Sequence, residues 1–191
     1  MKNKTIRIND IIKKSYYLMH LYGYNGTSVK KITDAADIPK GSFYNYFDNK
    51  EDYAKKVIEY LLENDTRFNI FSDKKIKPLK RIERFFEYNI TKLHQKEYKY
   101  GCFVGNLTQE MADVNETLSI TTEKFHTFVA DKIEKCLIEA QTNGKLQETV
   151  KLETLSNYII NAWQGSLLRM KSQQNDQPLK DFMKVLKQLL I

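Results

Sequence analysis

Apolar side chains return every three or four residues along nearly the whole of this chain, and little interrupts them. Only three prolines and seven glycines occur in 191 residues. A 3.6-residue recurrence builds the buried face of a helix, whereas a half-buried strand needs strict alternation, and no convincing alternating run exists here. The pattern therefore predicts an all-α fold of about nine helices. The first covers residues 8–22, with Ile8, Ile11, Ile12, Tyr16, Leu18 and Met19 on its inner face. Gly23 stops it, because glycine alone enters the left-handed C′ conformation without strain. Thr27 or Ser28 caps a second helix that runs to residue 36. A short third follows at 40–47. Asp48 or Asn49 caps a fourth, to residue 71. The later helices fall at 78–95, 103–112, 115–142, 151–172 and from Pro178 onward.

Charge narrows the partner. The formal net charge is +7, with an isoelectric point near 9.2. The first 50 residues carry nine Lys and Arg against four acids, and the rest of the chain is nearly balanced, at 22 against 20. A basic excess confined to one end points to an anionic partner at that end. The two cysteines, Cys102 and Cys136, form no CxxC pair, so a reducing compartment is expected and no disulfide framework. The N-terminus lacks the apolar core of a signal peptide, and no apolar run approaches the length of a membrane span. These features predict a cytoplasmic protein with no membrane partner.

The stretch TSVKKITDAADIPKGSFYNYFDNKED, residues 27–52, holds the most information. Two short helical segments flank an Asp-Ile-Pro-Lys-Gly corner, the arrangement of a helix-turn-helix. Val29, Ile32, Ala35 and Ala36 face inward from the first segment, Ile38 plugs the corner, and Phe43 and Phe47 face inward from the second. Lys40, Ser42, Tyr44, Asn45 and Tyr46 then point elsewhere. They supply donors, acceptors and flat rings, the groups that read base edges or hold phosphates in a major groove. Gly41, with no side chain, lets a backbone come close to DNA. A helical adaptor that binds protein through the same 50 residues is the alternative, and competition by DNA separates the two.

The order Gly23, Thr27-Ser28, Ile32, Ala36, Ile38, Lys40-Gly41-Ser42-Phe43-Tyr44, Tyr46-Phe47 and Lys50-Glu51 resembles the DNA-binding domain of the TetR family of transcriptional repressors. The resemblance covers roughly residues 6–60. It implies a helix-turn-helix domain at 1–52 and an effector-binding and dimerisation domain at 53–191. It also implies a homodimer on a palindromic DNA operator, released by a small-molecule effector. By position, Thr27 and Ser28 resemble phosphate contacts through hydroxyl and backbone N–H at a helix N-terminus. Lys30 reaches a base or phosphate, and Lys40, Ser42 and Asn45 are candidates for base edges. Tyr44 and Tyr46 resemble paired aromatic phosphate contacts, and Lys50 a phosphate-binding lysine. Three positions depart from the family pattern. Asp37 stands for a glycine in the turn, Pro39 for a serine, and Thr33 for an alanine, harmless if half exposed.

In the body, aromatics are abundant, and core packing accounts for most of them. For the effector, the resemblance points to Phe86, Phe103, Asn106, Glu110, Met111, Phe125 and Trp163. For the dimer it points to the last two helices, with Leu155, Ile159, Trp163, Gly165 and Leu186. Gly165 inside a long helix costs about 1 kcal/mol relative to Ala, which a close helix–helix approach explains, within the chain or between two copies. Nothing suggests an enzyme, a metal or a cofactor. His20, His94 and His126 are isolated, no metal-ligand, GxSxG or GxGxxG spacing occurs, and Gly101 and Gly105 are not followed by the GK[ST] of a phosphate loop.

Overall fold

Lys2–Tyr22 (α1) opens the chain in a computed structural model that describes residues 2–146 and 150–190, with side chains from residue 4 onward. The helix starts six residues before the periodic stretch that predicted it. No breaker stands in that extra turn and a half, and Arg7 and Lys14 both pair with Asp10 along its flank. At the other end Gly23 has φ +76° and donates its N–H to Met19, closing α1 as expected. The helix α2 covers Val29–Ala35, and the side chain of Ser28 caps it by accepting the Lys31 N–H at 3.2 Å. Asp37 follows with φ +53°, a left-handed residue in the corner where a short polar side chain tolerates it.

The third predicted helix is a 3-10 segment, Lys40–Asn45. Six residues are too few for α-helical cooperativity, Gly41 weakens the run, and Pro39 at its start offers no side-chain acceptor. Its ladder is accordingly tight, with Ser42 N–H on Pro39 and Tyr46 N–H on Phe43. The next helix, α3, covers Lys50–Asn64, capped by Asn49 through the Asp52 N–H at 2.8 Å. The sequence predicted a helix to residue 71, but the chain leaves the α conformation at Asp65, whose ψ is 102°. Asn64 turns its amide back onto the Tyr60 carbonyl, a local bond that competes with helix continuation. A 3-10 segment, Thr66–Ser72, follows. It buries Phe68 and Phe71, and a spacing of three suits that tighter turn better than an α-helix.

Five further helices complete the described residues: α4 (Pro78–His94), α5 (Phe103–Met111), α6 (Glu116–Thr142), α7 (Leu152–Gln173) and α8 (Gln177–Leu189). Among the described residues there is no strand. The fold is all-α, with eight α-helices and two 3-10 segments among the described residues.

The residues group into two compact units, Met1–Asp65 with Phe103–Phe125, and Thr66–Cys102 with His126–Ile191. In the first, Ile11, Ile12, Ile32, Phe43, Tyr53, Val57 and Ile58 are fully buried. Phe43, Phe47 and Tyr53 pack as tilted and edge-on rings with centres 5.0–6.1 Å apart, and the Tyr53 hydroxyl meets Ser15 at 2.8 Å. Thr33, harmless on the condition of half exposure, is in fact buried, with its hydroxyl donated to the Lys30 carbonyl at 3.0 Å. The second unit is built on an aromatic chain: Phe71 and Phe68 on Phe85, Phe85 on Phe86, and Phe86 against both Trp163 and Phe182. Arg81 and Glu83 are buried there, and Arg81 donates to both carboxylate oxygens of Glu139 and to the carbonyls of Asp73 and Ile76. Arg81 and Lys74 together hold the Glu139 carboxyl down at about 2.

Candidate nucleic-acid interface

Phe43 and Phe47 decide which way the 3-10 segment faces. Both are buried, at 0% and 1% exposure, and the Phe47 N–H closes an α-type bond onto Phe43 that keeps the two rings on one side. Lys40, Gly41, Tyr44 and Asn45 are thereby forced outward, and all four are exposed. The Tyr44 ring leans edge-on against Phe43 at 5.4 Å while leaving 58% of its surface to solvent. Ser42 and Tyr46 are half-buried at the margin of this edge. Gly41 meets no atom within 4 Å of where a Cβ would stand, so nothing inside the chain requires glycine there. The vacancy leaves the backbone open to whatever meets this face.

The helix α2 supplies a second row. Lys30 is exposed and pairs with Asp34 at 2.6 Å, an i,i+4 bond of the weak, solvent-screened kind that gives way readily to a phosphate. Lys31, which the sequence reading passed over, lies beside it. Its ammonium donates to the Gly26 carbonyl at 2.9 Å and sits 4.9 Å from the Tyr22 ring centre. Ser28 is exposed at the helix N-terminus. Thr27 is not. It is fully buried, and its hydroxyl donates to the Gly23 carbonyl at 2.8 Å, so the phosphate contact read for that hydroxyl is corrected to an internal bond that closes the α1–α2 turn.

Lys50 begins α3 and turns its ammonium onto the Tyr24 carbonyl at 3.0 Å, 4.1 Å from the Tyr24 ring centre. Partial burial lowers its pKa, and the nearby Glu110 charge opposes that fall. The Tyr24 hydroxyl is raised, first by burial and then by Glu51 and Glu110. Glu110 was read as an effector-pocket group. Its carboxylate instead accepts the Tyr24 N–H at 2.6 Å and the Asn25 N–H at 2.8 Å, which occupies both oxygens on the turn before α2.

The other effector residues fall in both units. In the first, Phe103 packs edge-on against Tyr16 and His20, Met111 and Phe125 are buried, and Asn106 is half-buried. In the second, Phe86 and Trp163 touch at 5.1 Å within the aromatic chain, where packing with Phe182 accounts for them.

The dimer residues also divide. Leu155 and Trp163 are buried in the second unit, each 7% exposed, and do not line the groove between α7 and α8. Ile159 and Leu186 are buried too, but they form the floor of that groove, which holds about 370 Å³. Its α7 wall carries Tyr158, Ala162, Gly165, Ser166 and Arg169, and its α8 wall Asp181, Val185 and Leu189. Gly165 meets nothing within 4 Å of a built Cβ, which removes packing within the chain as its explanation. Tyr158, Leu168, Val185 and Leu189 are exposed apolar side chains on the same two helices.

Among the described residues, no group of three or more His, Cys, Asp or Glu is placed to hold a metal ion, and no helix is long and apolar enough to cross a membrane.

Known families match both ends of the chain. Residues 11–56 match the family model described as bacterial regulatory proteins, tetR family. Residues 78–186, more than half of the chain, match the tetracyclin repressor-like C-terminal domain. The HTH-type transcriptional repressor DhaR of Mycobacterium sp. (strain GP1) is 29% identical over 183 residues, covering 95% of this chain and 90% of the relative. The transcriptional regulator AcuR of Cereibacter sphaeroides is 32% identical over 169 residues, covering 84% and 74%. Among solved structures, regulatory protein TetR from Rhodobacter sphaeroides superimposes with a TM-score of 0.85 at 28% identity, over 95% of this chain and 97% of that one. With a helix-turn-helix end and a helical body both matched, the chain belongs to the TetR family of transcriptional regulators.

Proposed function

We propose that this regulator is a repressor that binds a palindromic operator as a homodimer and leaves it when a small-molecule effector binds. The observation that carries the reading is the exposed edge Lys40, Gly41, Tyr44 and Asn45, held outward by the buried Phe43 and Phe47. A lysine suits the acceptors of guanine, an asparagine the acceptor–donor pair of adenine, and a tyrosine a phosphate or a thymine methyl. Ser28, Lys30 and Lys50 add phosphate contacts along the flank, with Ser42 and Tyr46 at the margin of the edge. The name given to DhaR supports repression as the default sense of regulation.

One copy of so short a reading segment spans too few base pairs to be selective, so two copies must sit about 34–36 Å apart or a multiple of that. The α7–α8 groove suits a second copy, because Gly165 and Ala162 let a partner helix approach while Tyr158, Val185 and Leu189 supply apolar area. No catalytic step, metal or cofactor is part of this reading, and its setting is the cytoplasm, where the operator lies.

The test is fluorescence anisotropy on a duplex selected by the protein, from 50 to 200 mM salt. Binding should weaken steeply with salt, by orders of magnitude if six or more phosphates are neutralised. The variant Lys40→Ala/Tyr44→Ala/Asn45→Ala should lose selectivity while its melting temperature stays near that of the parent. Equal affinity for selected and scrambled duplexes by the parent protein would refute the reading.

A further inference from the structure

Glu110 does more than pack. It lies on α5, 85 and 86 residues from the two amides it holds, and both carboxylate oxygens are used. The bonds are short and charge-assisted, a kind roughly twice as strong as neutral ones. The neighbouring residue leaves space for them: a Cβ on Gly23 would stand 2.6 Å from Glu110 Oε2, and φ there is +76°. Tyr24 is thus held from both sides. Its N–H goes to Glu110, and its carbonyl takes the Lys50 ammonium at 3.0 Å, with the tyrosine ring beneath that ammonium. A lysine ammonium has three protons. The Tyr24 carbonyl takes one and fixes the direction of the other two.

A second bond secures the same corner. Glu51, next to Lys50 on α3, accepts from the Asn115 amide, whose own oxygen caps α6 through the Leu118 N–H at 2.8 Å. The start of α3 is therefore tied to the α5–α6 corner twice, once through Tyr24 and Glu110 and once through Glu51 and Asn115.

We propose that Glu110 is a positioning residue for operator binding, which sets the Tyr24–Asn25 turn and through it aims the Lys50 ammonium at a DNA phosphate. The proposal rests on the operator reading above. A carboxylate this close to a DNA-binding face would repel phosphates if it were free. Tied by one amide on each oxygen, and with its charge acting on Lys50, it instead holds the turn that presents the lysine. The position of α5 is thereby transmitted to a phosphate contact through three bonds, with no packing of α5 against the reading edge required.

The experiment uses the full chain and the duplex that the parent protein selects from a random library. Salt dependence of binding is measured for the parent, Glu110→Ala, Lys50→Met and the double variant, and amide exchange is measured at Tyr24 and Asn25. Lys50→Met should lower the salt slope by about one unit. Glu110→Ala should lower it by the same amount, weaken binding about tenfold and speed exchange of both amides at least tenfold, and Lys50→Met should then add nothing. A role confined to fold stability would leave the slope unchanged, and that result, or additive losses in the double variant, overturns the proposal. If Glu110→Ala melts below the assay temperature, the isosteric Glu110→Gln carries the same test. It keeps one acceptor but loses the charge, so the slope should fall part of the way and one amide should exchange faster, and parental values of both overturn the proposal. Absence of selective binding by the parent would sink the operator reading itself, and the amide exchange would still show whether the turn is held.

Discussion

Replacing Thr27 by valine separates two roles that sequence alone assigns interchangeably. The side chain is fully buried and its hydroxyl donates to the Gly23 carbonyl at 2.8 Å. Valine keeps the shape and both branches at Cβ, so packing changes little. What is lost is one internal hydrogen bond, with a net value of about 0.5–1.5 kcal/mol, plus the cost of leaving the Gly23 carbonyl without its donor. A loss of about 1–2 kcal/mol follows. For a chain of this length each kcal/mol lowers the melting temperature by about 2–4 °C, so calorimetry should record a fall of several degrees. Operator affinity, measured well below the melting temperature, should stay within about twofold and its salt slope unchanged, because no phosphate contact disappears. An unchanged melting temperature together with a shallower salt slope would refute the argument and return Thr27 to the DNA interface.

Asn45→Ala should relax preference at one base position in each half-site, at about 1–3 kcal/mol for the favoured base, read by binding to a panel of single-substituted duplexes. Gly165→Leu should hold or raise the monomer's melting temperature, since nothing lies within 4 Å of the new Cβ and leucine favours a helix over glycine, yet prevent dimer formation in sedimentation and weaken operator binding with it. Glu139 adds a pH dependence. Its carboxyl is held at about 2 by Arg81 and Lys74, below its ordinary 4.5, so its contribution is complete above pH 4.5 and disappears as pH falls toward 2. Glu139→Gln should therefore lower the melting temperature at pH 7, and the gap from the parent should close by about pH 2.

The all-helical character and most helix starts were legible in the sequence because they depend on neighbours. Gly23 stops α1, Ser28 caps α2 and Pro78 opens α4 by local rules of conformation and hydrogen bonding. Phe43 and Phe47 were legible for the same reason, since a spacing of four fixes a common face. The direction of the Thr27 hydroxyl was not. A threonine at a turn donates equally well to a carbonyl four residues back or to a phosphate, and only the packing of α1 on α2 decides. The end of α3 at Asn64 was missed because Phe68 and Phe71 continue an apolar pattern that a 3-10 turn uses as well as an α-helix does.

Glu110 was misplaced for a different reason, because its partners are 85 and 86 residues away and both are backbone groups, which no side-chain pattern announces. On α7 the apolar stripe through Leu155, Ile159 and Trp163 was found, but periodicity marks burial without naming what buries it. Leu155 and Trp163 face the unit's own core, Ile159 reaches the groove, and the open side belongs to the small residues Ala162, Gly165 and Ser166.

The proposed operator complex is a twofold protein that presents two copies of the Lys40–Asn45 edge to one face of a duplex. Selection from a random duplex library, followed by sequencing of the bound fraction, tests this most directly. The account predicts a consensus of two inverted half-sites, centred about one helical turn or a multiple of it apart, with single-position relaxation in both halves for Asn45→Ala. A consensus without inverted symmetry, or enrichment of no sequence at all, would contradict it.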